Sequence, residues 1–269
     1  MSSAAKALAL LDHFQPARPE IGLSQLCRLA GRDKATTYRY LQSLETAGLV
    51  EQNPITKHYR LGPKLLQLAR TREETVPRSA GVEMALRALA ERTGETAHAA
   101  ILSGHALYRL AAVESPSHSI RVVIDVEVFP LHATASGLCA LAFGPETLFE
   151  AACRRADRFT DSTVTDPEAL RAQVALCRAS GFGRAAGSFE AEVNSLAAPL
   201  YDQTGQFAGT VSTASVASRF SGTLERGIKA HLVIAAREIT RNWGGVTPDN
   251  VEAAWAASLA GAQELETMP

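Results

Sequence analysis

The stretch Leu23–Val50, LSQLCRLAGRDKATTYRYLQSLETAGLV, reads as two short helices joined by a glycine turn. Leu26 and Leu29 are the apolar positions of the first helix, the Ser24 hydroxyl is placed to cap it, and Gly31 supplies the positive φ of a tight turn. Asp33 is the expected cap of the second helix, which runs to about Ala47 and stops at Gly48. At 100° per residue, Thr37, Tyr40, Leu41 and Leu44 share one side of that helix. The opposite side carries Ala35, Arg39 and Gln42, flanked by Lys34, Thr36, Tyr38 and Ser43. This face is basic, rich in hydrogen-bonding groups, and small near its N-terminal end. Such a helix suits the DNA major groove, where its first turns reach base edges and phosphates.

Two short β-prone runs follow, Leu49–Glu51 and Lys57–Leu61, separated by the turn-forming Asn53-Pro54-Ile55-Thr56. A hairpin directly behind a recognition-type helix is the wing of a winged helix. Lys57, His58, Tyr59 and Arg60 then fall where a wing meets the phosphate backbone. The candidate DNA contacts are Ser24, Lys34, Thr36, Tyr38, Arg39, Gln42, Lys57, His58 and Arg60, and the expected partner is a double-stranded operator. Upstream, Ala4–Phe14 repeats Leu8, Leu11 and Phe14 at helical spacing and supplies the third wall of the core. Gln15–Ile21, with Pro16 and Pro19, connects it to the helix pair. These pieces make a winged helix-turn-helix unit over residues 1–62. A linker helix, beginning as KLLQLARTR at Lys64, occupies 63–77, and Pro77 breaks the pattern.

The net charge of −1 hides an asymmetry. Up to Arg72 there are 11 lysines and arginines against 5 acidic residues, a net +6, and the remainder carries −7. A basic unit joined to an acidic one is what a DNA-binding domain attached to a separate module shows. With 46 % hydrophobic and 20 % charged residues the chain is globular and long enough for two domains. No apolar run approaches the roughly 18 residues of a membrane span, and MSSAAKALALLDHF lacks the layout of a secretory signal. Cys27, Cys139, Cys153 and Cys177 are scattered, so they read as reduced thiols of a cytoplasmic protein. His98, His105, His118 and His132 show no metal spacing. There is no G-x-S-x-G elbow, Walker loop or G-x-G-x-x-G behind a strand. The chain is therefore not read as an enzyme, and no cofactor or metal is expected.

Residues 78–245 form the second unit. Arg78–Arg92 is an amphipathic helix closed by Thr93-Gly94. Thr96–Leu102 and Ala106–Val113 pair around Ser103-Gly104-His105, and the β-branched run Ile120–Ile124 is a further candidate strand. Pro130–Phe143 becomes a helix after Ser136-Gly137. Pro145–Arg155 and Pro167–Ser180 are helices, the second capped by Asp166 and ended by Gly181. Asn194–Tyr201 and Phe207–Ser215 flank the hairpin signal Asp202-Gln203-Thr204-Gly205. Leu224–Trp243 is a long amphipathic helix. The tail, 246–269, holds a possible helix at Pro248–Leu259 with no evident role. This mixture without βαβ alternation indicates an α+β fold with an antiparallel sheet.

Three segments, Lys34–Val50, Pro130–Phe143 (PLHATASGLCALAF) and Gly181–Ala214 (GFGRAAGSFEAEVNSLAAPLYDQTGQFAGTVSTA), in this order resemble the IclR family of bacterial transcriptional regulators. The resemblance spans nearly all of residues 4–243. Two departures stand out: Thr37 and Tyr40 replace the usual aliphatics, and Leu138 replaces a common lysine. The resemblance implies a winged helix-turn-helix joined by a linker helix to a GAF-like antiparallel-sheet effector domain, assembled as a homodimer or homotetramer. It implies a repressor or activator of a catabolic operon, controlled by a small carboxylate or aromatic acid. By position the effector would meet Thr134, Ala135, Ser136, Gly137, Val193, Ser195 and Ser212, with Val193, Leu196 and Leu138 as apolar walls. Backbone N–H groups at a helix start and nearby hydroxyls can hold a carboxylate. Ala185 and Ser195 stand where relatives that bind small oxo-acids place Asp and Cys, which argues against glyoxylate or pyruvate. The alternative is a DNA-binding module that acts through oligomerisation without a ligand.

Overall fold

In the computed structural model, which describes residues 2–15, 17–75 and 81–264, Asp33 accepts the Thr36 N–H at 2.8 Å and starts helix α3 (Lys34–Thr46). The chain forms two compact units, residues 1–77 and 78–269. In the first, α1 (Ser3–Leu8), α2 (Leu23–Ala30) and α3 enclose a core of Leu10, Phe14, Ile21, Leu26, Leu41, Leu44, Val50 and Tyr59. Gly31, at φ +62°, ends α2 in the left-handed region. Thr37, Tyr40, Leu41 and Leu44 are buried, as the helical periodicity predicts, whereas Leu29 is exposed. Strands β1 (Val50–Gln52) and β2 (Tyr59–Leu61) form the wing, and α4 (Lys64–Thr75) follows.

Several local expectations are corrected here. The first helix stops at Leu8 and a 3₁₀ turn takes Leu11–His13. Gln15 precedes a proline and exchanges backbone hydrogen bonds with Arg18, which keeps the chain from continuing as a helix. Pro16 itself, like Pro77 and the expected helix start at Arg78, lies outside the described residues. Ser24 does not cap α2. Ile21 pairs with Tyr59 through two 2.9 Å backbone bonds, so the extended segment ends at Gly22, which becomes the cap. Ser24 is left exposed in the first turn. Tyr59 belongs to the core at 1 % exposure and is no phosphate contact.

The second unit is built on one six-stranded antiparallel sheet of order β5-β4-β3-β8-β7-β6. Its strands are β3 (Thr96–Ser103), β4 (Ala106–Val113), β5 (Val128–Phe129), β6 (Gly183–Ala186), β7 (Val193–Tyr201) and β8 (Phe207–Val216). Helices α5 (Glu83–Thr93) and α9 (Gly222–Asn242) pack together and on the sheet, as do α6 (Ala135–Phe143) and α8 (Pro167–Ser180), with α7 (Thr147–Cys153) against α6. The β3–β8 approach is close: a Cβ on Gly209 would lie 2.1 Å from the Ala100 carbonyl oxygen.

Ile120–Ile124 is not a strand. On the edge of β4 away from β3 the pairing segment is Val128–Phe129, and the carbonyls of Ile120, Val122 and Ile124 are taken instead by side chains of Arg219, Thr96 and Arg109. A β-branched run with its hydrogen bonds met this way becomes a strap across the sheet. Helix α10 (Asp249–Glu264) is no loose tail, since Val251 and Trp255 are buried in the unit's core.

Candidate functional site

On α3 the residues Lys34, Tyr38, Arg39 and Gln42 are exposed, while Thr36 is half-buried with its N–H bonded to Asp33. That bond, reinforced by the Thr36 hydroxyl, holds the Asp33 carboxyl below its ordinary value. The Gln42 amide donates to the Tyr38 hydroxyl at 3.1 Å. The Arg39 guanidinium lies 5.9 Å from the Tyr40 ring centre. The Tyr38–Gln42 bond is an i,i+4 contact within the exposed face.

In the wing, Asn53 accepts the Ile55 and Thr56 N–H groups and tightens the turn. Lys57 and His58 are exposed beyond it. Arg60 is exposed but engaged, with Nε 2.6 Å from Glu51 and Nη1 3.7 Å from Glu20. Those carboxylates offset its charge, so Arg60 braces the wing more than it offers a free cation.

In the second unit a cavity opens where the N-terminal end of α6 meets β3, β7, β8 and the strap. Thr134, Ala135, Ser136, Val193 and Ser195 line it. Gly137 and Ser212 do not. A Cβ on Gly137 would meet the Leu131 and Pro130 carbonyl oxygens at 2.4 and 2.5 Å, so this glycine lets the loop pass against the helix start. Ser212 hydrogen-bonds Ser136 from behind. Leu138 is sealed in the core, and Leu196, next to Ser195 on β7, turns to the other face of the sheet. Neither lines this cavity.

Besides Val193 and Ala185, the walls come from residues that no motif marks: Val122 and Ile124 of the strap, with Val126, Phe129 and Phe189. His98 is the other residue the sequence reading missed. It is 3 % exposed, stacked on Phe129 with ring centres 5.0 Å apart, and its Nε2 is 3.4 Å from Ser136 Oγ. Its Nδ1 has no hydrogen-bond partner among the described residues. Alternation along β3 could have flagged it, since His98 pairs with Ser212 on β8.

Burial, and then the positive charge of Arg109, push the His98 imidazole down to about 4. Protonation therefore favours the unfolded chain, whose histidine titrates near 6.5. Stability from this source is complete above pH 6.5 and is lost as the pH falls toward 4, by about 3 kcal/mol. In urea melts at stepped pH, wild type should lose more stability between pH 7 and 4.5 than His98→Phe. Parallel curves would show that His98 is solvated.

Among the described residues no group of three or more His, Cys, Asp or Glu is placed to hold a metal. No helix among them is long and apolar enough to cross a membrane.

The IclR helix-turn-helix domain matches residues 3–54, and the domain described as bacterial transcriptional regulator IclR C-terminal matches residues 78–241. The glycerol operon regulatory protein of Streptomyces coelicolor is 28 % identical, over 91 % of this chain and 97 % of that protein. A solved structure described as an ICLR transcriptional regulator of Silicibacter sp. TM1040 is 39 % identical. It covers 93 % of this chain and 99 % of its own, with a TM-score of 0.86. A homologue from Microbacterium hydrocarbonoxydans, solved with 4-hydroxybenzoate, is 24 % identical over 89 % of this chain and all of its own, with a TM-score of 0.70, and shows the shared fold. With both domains matched in order along one chain, the protein belongs to the IclR family of transcriptional regulators, with a DNA-binding helix-turn-helix and a C-terminal effector domain.

Proposed function

We propose that this regulator answers to a small organic or aromatic acid bound in the cavity beside α6, and governs a catabolic operon as a homodimer or homotetramer. The observation that carries the reading is the cavity itself: an apolar enclosure at a helix start, where Ala135 and Ser136 have N–H groups without an intrahelical acceptor. The Microbacterium relative solved with 4-hydroxybenzoate makes aromatic acids the first probes. A thermal-shift screen of carboxylates and aromatic acids should raise the melting temperature for at least one compound. Silence across the whole panel would favour a DNA-binding module that acts without a ligand.

On the DNA side, Lys34, Tyr38, Arg39 and Gln42 are proposed to face base edges. Ser24, Thr36, Lys57 and His58 would meet phosphates, with two copies on successive major grooves of a near-palindromic site. Arg39→Ala should weaken binding to fragments of the DNA flanking its own gene by about 1–3 kcal/mol, roughly 5- to 150-fold. Lys57→Ala should instead lower affinity uniformly and reduce the salt slope by about one. Gel-shift titrations at several salt concentrations separate the two. Unchanged affinity in Arg39→Ala would remove α3 as the reading helix.

A further inference from the structure

The polar groups of the cavity can be sorted by what they already hold. Thr134 Oγ1 accepts the Gly137 N–H and donates to the Pro130 carbonyl, both at 2.9 Å. Ser188 donates to the Ala133 carbonyl at 3.0 Å. Ser136 is shared between Ser212 and His98 Nε2. What remains is the helix-start N–H groups of Ala135 and Ser136, the half-buried Ser195, and His98 Nδ1, a buried ring nitrogen without a partner among the described residues.

Charge narrows the field further. Among the described residues the lining contains no Lys or Arg, and its one acidic side chain is Glu190, which is exposed. The helix start can balance one negative charge, and nothing in the lining balances a second. Size narrows it again. About 50 Å³ is open to the centre of a water-sized sphere. At roughly 10–15 Å³ per water on that measure, about four waters fit, the bulk of a compact acid.

We infer that the cavity takes a singly charged hydroxy acid, with its carboxylate on the Ala135 and Ser136 N–H groups and its hydroxyl on His98. A neutral imidazole offers one donor and one acceptor nitrogen. With Nε2 committed to the Ser136–Ser212 chain, Nδ1 is either donor or acceptor, and a hydroxyl satisfies both cases. A second carboxylate would lie in an apolar, cation-free wall. The stack on Phe129 fixes the plane of the His98 ring, so the hydroxyl is read at a defined place. This inference rests on the reading of the cavity as the effector site.

The test is calorimetric titration of the full-length protein with two matched pairs, 4-hydroxybenzoate and benzoate, and 4-hydroxybutyrate and butyrate, plus the diacid terephthalate. In at least one pair the hydroxy acid should bind about tenfold tighter than its deoxy partner, and terephthalate should bind more weakly than either benzoate. His98→Asn places an amide near the Nδ1 position and should keep the preference. His98→Gln and His98→Phe should abolish it. Ala185→Phe, which fills the cavity, should block every acid, and retained binding to operator fragments controls for folding. Equal affinities within both pairs, tighter binding of terephthalate, no binding by any acid, or a preference that survives in His98→Phe would overturn the inference. If Ala185→Phe blocks binding while His98→Phe keeps the preference, this inference falls and the reading of the cavity as the effector site stands. If Ala185→Phe changes nothing, the cavity reading falls with it.

Discussion

Trp255→Ala is expected to destabilise the second unit by about 3–5 kcal/mol, the range for truncating a fully buried aromatic. Trp255 is 0 % exposed, its Nε1 donates to the Gly181 carbonyl at 2.7 Å, and its ring lies 6.2 Å from that of Phe182. The loss combines a cavity in the core with a carbonyl left without its donor. Gly181 is locked into the same joint. It ends α8 at φ +79°, and a Cβ there would come within 2.4 Å of the indole. Ser258 adds a 2.7 Å bond to the Ser180 carbonyl, so α10 closes the C-terminal end of α8 at two points. Arg237 on α9 grips Glu252 from the other side, but that pair is largely exposed and contributes little. Urea denaturation followed by circular dichroism gives the number. A change below about 0.5 kcal/mol, the size of an ordinary surface substitution, would mean that α10 merely rests on the unit.

Where the sequence was legible, the deciding signal was local. Asp166-Pro167 and Gly181 bracket α8 to the residue because cap, first-turn proline and left-handed exit act within one turn of the chain. Asp202 to Gly205 announces the β7–β8 hairpin for the same reason, with the Asp202 carboxylate accepting the Thr204 N–H. The buried side of α3 follows from helical period alone. Where the reading failed, the answer depended on a distant partner. Ser24 lost the capping role because Ile21 is held by Tyr59, far along the chain. Ile120–Ile124 has strand composition, but β-propensity reports a fit to a half-buried surface and not the presence of a neighbour to pair with. The cavity divides in the same way. Its helix-start residues and Val193 and Ser195 were reachable through family resemblance, whereas His98 meets Ser136 across 38 residues and carries no motif of its own.

Arg219→Met is expected to cost about 3–5 kcal/mol, because it strands a carboxylate that water cannot reach. The Glu95 side chain is 2 % exposed, and Arg219 forks onto it with Nε–Oε1 at 3.1 Å and Nη2–Oε2 at 2.9 Å. His118, at 4.0 Å, is the other cationic side chain beside it, and it is charged only when protonated. Most of the cost is the unpaired charge and not the intrinsic worth of the pair, so Glu95→Gln combined with Arg219→Met should recover much of the loss. A double mutant as unstable as the single would show that shape, not charge, governs the site. Arg219 has a second task, since its Nη1 donates to the Ile120 carbonyl at 2.9 Å and pins the strap whose Val122 and Ile124 wall the cavity. Arg219→Lys separates the two tasks. A point-charge ammonium can still neutralise Glu95 but cannot reproduce three directed bonds. It should therefore regain most of the stability while amide exchange along Ile120–Ile124 quickens relative to wild type. Unchanged exchange there, with stability restored, would show that Thr96 and Arg109 hold the strap without help from Arg219.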